Sequence, residues 1–133
     1  MRSGIIFIIT FLLITILQPL NSFGDGKWYQ GGTLHKANGL EWQKATYANK
    51  LATCGDFIGV YFKNGYLNDA IVSKINSIDD FKPLAIELAN SLDDAFKRDP
   101  DDETNKMLFT NQEVASTAAM IVILGGWANI PKK

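Results

Sequence analysis

One cysteine and one histidine among 133 residues set the first limits on this chain. A single cysteine, Cys54, cannot close an intrachain disulfide, and zinc sites draw on several Cys and His ligands, so neither framework can be built. His35 is the sole histidine, and every Ser-His-Asp or Cys-His scheme must therefore use it. Neither His35 nor Cys54 sits in a turn that marks a nucleophile. Charge of one sign is also missing: 13 Lys+Arg stand against 14 Asp+Glu, a net charge of -1, which removes the electrostatic case for binding nucleic acid. There is no internal repeat, heptad run or low-complexity segment. Gly31-Gly32-Thr33 lacks the preceding strand and the Gly-Lys-Ser/Thr ending of a phosphate-cradling loop.

The charges that exist are unevenly placed. Residues 1 to 24 carry one, Arg2, followed by an apolar run from Ile5 to Leu17 and then Gln18-Pro19. That is the order of a secretory signal peptide, with Ser22-Phe23-Gly24 as the cleavage region and Asp25 as the first mature residue. The run is shorter than the roughly 20 residues that span a bilayer, so no stable membrane anchor is expected after cleavage. The expected location is periplasmic or secreted, with residues 25 to 133 as one domain. In an exported chain, lone Cys54 reads as a small buried hydrophobe, with an intermolecular disulfide as the alternative.

The domain reads as all-α: a bundle of about four helices after an extended, aromatic and glycine-rich lead-in, residues 25 to 37. Asn38 and Glu41 form a capping pair for a first helix running from Gly39 to about Lys63, with a stripe of Leu40, Tyr47, Leu51, Cys54, Ile58 and Tyr61. Asn64-Gly65 ends it. Tyr66 to Asn76 is a short second segment. Leu84, Ala85, Leu88, Leu92, Ala95 and Phe96 mark a third helix, stopped before Asp99-Pro100. Residues 99 to 105 read as a polar connection. Thr110 and Glu113 then read as a capping box for a last helix, Val114 to Leu124, apolar nearly all round and so either central in the core or partner-binding.

Two groups of residues stand out as site candidates. Trp28, Tyr29, His35 and Trp42 are aromatic or amphipathic groups around a glycine pair, which suits either an interface anchor or a lid folded onto the first helix. Asp99, Asp101, Glu103 and Asn105 place oxygens at alternate positions, as at the start of an EF-hand, yet Thr104 and Thr110 stand where that loop needs glycine and glutamate. Calcium is therefore a weak candidate, and no cofactor is expected. Adjacent acids such as Asp79-Asp80 and Asp93-Asp94 read as helix caps or solvated groups.

The stretch Trp28-Tyr29-Gln30-Gly31-Gly32-Thr33-Leu34-His35-Lys36-Ala37, with Glu41-Trp42 and Ala48-Asn49-Lys50-Leu51-Ala52-Thr53, resembles the opening of a group of small bacterial secreted proteins of unassigned function. Pro83-Leu84-Ala85-Ile86-Glu87-Leu88 and Gly126-Trp127 are similar to later parts of that group. The resemblance implies a bacterial exported protein and carries no catalytic residue across. Thr53-Cys54-Gly55-Asp56-Phe57 is similar to a segment of periplasmic acid-stress chaperones, which depend on a disulfide that one cysteine cannot form. The layout around Cys54 also looks like periplasmic immunity proteins that neutralise type VI secretion effectors, although the further cysteines are missing. The expected function is non-enzymatic binding of another protein, as an inhibitor or immunity factor. The alternatives are a small periplasmic hydrolase or ligand carrier using His35, or a chaperone-like protein.

Overall fold

The computed structural model describes residues 26–131; the expected signal peptide and Asp25 lie outside the described residues. Six α-helices occupy the described chain: α1 (Gly39–Lys44), α2 (Tyr47–Lys63), α3 (Asp69–Val72), α4 (Lys82–Ala95), α5 (Asp102–Phe109) and α6 (Val114–Leu124), with a 3-10 turn at Ile78–Phe81. Among the described residues there is no strand, only two isolated antiparallel bridges, Asn38 with Glu113 and Leu67 with Ala128. The all-α class is as expected; the count of about four helices is not.

Two of the extra helices come from local capping. The apolar stripe runs through Ala45-Thr46, but Thr46 is extended and its hydroxyl accepts the Asn49 amide, which starts α2 afresh. Tyr47, read as part of the stripe, is consequently exposed, while Trp42 turns inward. Residues 99 to 105 are not simply a connection. Asp101 accepts the Thr104 hydroxyl and amide and nucleates α5, and these two hydrogen bonds, the hydroxyl's first, hold its carboxyl below the usual carboxylate range. Thr110 is no capping box partner either. It closes α5 by donating to the Lys106 carbonyl, and Glu113 is the residue before α6.

Of the expected Asn38–Glu41 capping pair one half forms among the described residues: Asn38 accepts the Glu41 amide, with no return bond from the Glu41 side chain. Asn64 closes α2 before Gly65 at φ +72°, and Gly125 closes α6 before Gly126 at φ +77°, as expected. Pro83 occupies the first turn of α4, where its missing amide hydrogen costs no helical bond.

Packing centres on α2 against α4, with α6 also against α4 and α1 against α5. Ala85, Leu88, Ala89 and Leu92 of α4 are all fully buried, as are Cys54 and Ile58 of α2. Trp42 and Phe96, with ring centroids 6.4 Å apart, and Phe96 and Phe109, 5.9 Å apart and edge-on, join α1, the end of α4 and α5.

Candidate functional site

The lead-in is a strap laid along α2. Its polar groups meet one face of that helix at Asn49, Thr53 and Asp56, spaced four and three residues apart. The Thr33 amide donates to Asn49 Oδ1 at 2.9 Å, Asn49 Nδ2 donates to Thr33 Oγ1 at 2.8 Å, and the Leu34 amide donates to the buried Thr53 Oγ1 at 3.2 Å. His35 Nε2 lies 2.7 Å from Asp56 Oδ2. Gly32 permits this closeness, because a Cβ there would stand 2.7 Å from the Thr53 amide nitrogen.

Trp28 and Tyr29 sit together at the start of the strap, edge to face with centroids 5.6 Å apart. The Trp28 ring rests on Gly55, and its Nε1 donates to Asp79 at 3.0 Å. Trp28 is thus a brace between α2 and the 3-10 turn, half-buried like Tyr29. Beside them lies a shallow groove of about 350 Å³ that also takes in Val60 and Ile78. Trp42 does not belong to this group. Only 1% exposed, it is a core residue, because its indole N–H reaches Asp93 Oδ1 at 2.9 Å and the rest of the ring is free to pack.

The same Asp93 oxygen accepts from Lys50 Nζ at 2.8 Å, and that ammonium lies 5.3 Å from the Trp42 ring centre. One turn on, burial first and the Asp93 charge second push the Cys54 thiol up to about 12. A thiol in that state stays protonated and inert, and an interchain disulfide would require α2 to be opened.

The oxygens considered for calcium serve the chain itself. Asp99 Oδ1 accepts the Asp101 amide and Asp101 caps α5. Glu103 pairs loosely with Lys106 at 3.8 Å. Asn105 is buried and exchanges hydrogen bonds with Gln43 at 2.9 Å in both directions. No cluster of three or more His, Cys, Asp or Glu suited to a metal occurs among the described residues.

A second surface is formed by the last helix, which the sequence left as either core or partner-binding, together with Tyr66 and the tail, which the sequence did not single out. Helix α6 buries one line, Val114, Ala118 and Val122, and leaves Met120, Ile123 and Leu124 exposed, Leu124 to 79%. Tyr66 and Ile130, 59% and 64% exposed, lie close by around a groove of about 290 Å³ that Ile123, Ala128 and Pro131 also line. Among the described residues, no charged side chain lines it. The available signal was the absence of any charged residue from Val114 to Pro131. No described helix is long and apolar enough to cross a membrane. Comparison with known proteins found no matching family model, no matching curated protein and no matching solved structure.

Proposed function

We propose that this is an exported, non-enzymatic protein that binds another protein through the apolar face of α6 and the tail after it, in the manner of an inhibitor or immunity factor. One observation carries the reading: Ile123, Tyr66 and Ile130 stay exposed around a groove that no charged residue lines among the described residues, and Met120 and Leu124 are exposed on the same helix face as Ile123. Uncovered apolar surface that is contiguous marks contact sites, whereas scattered exposed leucines do not. The order of the first 24 residues supports export. The resemblance to small secreted bacterial proteins agrees with export.

The test is recovery of a specific protein from periplasmic extract of the source cells by the immobilised domain, against Ile123→Asp and Leu124→Asp variants of unchanged melting temperature. Loss of that protein from both variants is expected. Equal recovery by both excludes this face.

A second reading rests on the His35–Asp56 pair, since a carboxylate orienting an imidazole is the arrangement of a general base. It supports a small hydrolase or carrier acting at His35, whose partner Asp56 lines the groove beside Trp28 and Tyr29. His35→Ala would then abolish turnover or ligand binding while leaving recovery of the protein partner intact.

A further inference from the structure

The tail after α6 is extended, and its hydrogen bonds show which edge is used. The Asn68 amide donates to the Trp127 carbonyl at 2.8 Å, and the Asn129 amide donates to the Tyr66 carbonyl at 2.7 Å. These bonds flank the Leu67–Ala128 bridge, so Ala128 occupies a non-hydrogen-bonded position of an antiparallel pair. Its own amide and carbonyl point to the opposite edge, and no described residue pairs with them. The alternation of an extended chain sends the Ile130 amide the same way, and no described residue pairs with it either. On this edge the described residues offer the backbone groups of Ala128 and Ile130.

We propose that this edge, from Ala128 to Ile130, receives an extended, uncharged segment of a partner protein as an added β-strand, with one apolar side chain of that segment seated in the adjoining groove. The proposal rests on the reading of this face as the contact surface and specifies its occupant. Ala128 and Ile130 line the groove and also carry the unpaired backbone groups. Main-chain bonds then give affinity, and the pocket selects the side chain. A groove of about 290 Å³ suits one large aliphatic or aromatic side chain. A docked amphipathic helix would instead present a row of anchors at i, i+3, i+4 and i+7. Among the described residues, the lining offers no charge to an acidic or basic partner.

The test uses the 15N-labelled chain and capped, uncharged heptapeptides of serine and threonine around one central valine, leucine, isoleucine, phenylalanine or methionine. At least one peptide is expected to bind, to shift the Ala128 and Ile130 amide resonances and to slow their hydrogen exchange about tenfold or more. N-methylation of the peptide's pairing amides should weaken binding about tenfold, since it removes backbone bonds and leaves the side chain intact. Ile123→Asp, at a half-exposed position, should abolish binding without changing the melting temperature. If the N-methylated peptide binds as tightly, strand addition is overturned while the apolar face survives. If Ile123→Asp binds normally, the face itself is overturned. Failure of all five peptides at millimolar concentration also overturns the proposal. So does protection of the Ala128 amide that depends on protein concentration without peptide, which would identify a second copy as the occupant.

Discussion

His35 Nε2 and Asp56 Oδ2 stand 2.7 Å apart and fasten the strap to α2, yet both side chains are about two-fifths exposed. Solvent screens such a pair, so its contribution to global stability is small, under about 1 kcal/mol. Its effect is local. His35→Ala and Asp56→Asn should barely move the melting temperature but should speed limited proteolysis between residues 26 and 37 several-fold. A drop of more than about 2 kcal/mol in either variant would show that the pair supports the core as well as the strap.

The buried part of the strap contact should behave in the opposite way. Thr53 is fully buried, and its hydroxyl accepts the Leu34 amide while donating to Asn49 Oδ1. Thr53→Val keeps the shape and strands the Leu34 N–H, a loss of about 1–3 kcal/mol. Thr53→Ser restores the hydroxyl and should recover part of it. Gly32→Ala should cost a similar amount, about 1–3 kcal/mol, because the new methyl meets Thr53 backbone that cannot step aside. Urea unfolding of the three variants gives the comparison, and a neutral Gly32→Ala would mean that the strap does not sit this close.

Much of this fold is legible in residue order, and the misses have a common cause. Asn38, Asn64-Gly65, Pro83 and Gly125-Gly126 act through one-turn chemistry, which sequence displays directly. Thr46 and Asp101 act through the same chemistry, but each lies inside a pattern with a simpler meaning, an unbroken apolar stripe and an acidic loop. Tertiary satisfaction was invisible. The partner of the Trp42 indole is 51 residues away at Asp93, so nothing near Trp42 announces that it is buried. Likewise sequence left the aromatic lead-in as an interface anchor or a lid and the last helix as core or partner-binding; tertiary packing lays Trp28 on Gly55 and buries one line of the last helix while exposing another.

Asn105 separates the structural from the calcium-binding account of residues 99 to 105. It is buried, pairs with Gln43 and also accepts the Asp99 amide at 3.1 Å. Asn105→Ala leaves those donors unmatched and should cost about 1–3 kcal/mol. Millimolar calcium, in contrast, should leave the melting temperature unchanged, since binding would have to break helix-capping bonds of α5. A calcium-dependent rise of several degrees that vanishes in Asp101→Asn would refute this account.

Cys54 and Asp93 are coupled in a way that pH can expose. Burial raises the Cys54 thiol from 9.0 to about 12, with the Asp93 charge adding to it. The unfolded thiol therefore ionises first. Stability is unaffected by this group below pH 9 and falls as pH rises from there toward 12, at about 1.4 kcal/mol per pH unit. Other groups titrate in that range, so the quantity to measure is the difference in alkaline slope between the wild type and Cys54→Ala, which should be the shallower. At pH 8 the native thiol should resist an aromatic disulfide reagent that reacts at once in denaturant. Asp93→Asn removes the nearby negative charge, so thiol reactivity should rise toward that of a thiol raised by burial alone. The same change takes the anion from Lys50 while leaving an oxygen for the Trp42 indole, and should cost about 1–2 kcal/mol. If the native thiol reacted as fast as the denatured one, the packing of α2 against α4 around Cys54 would be wrong.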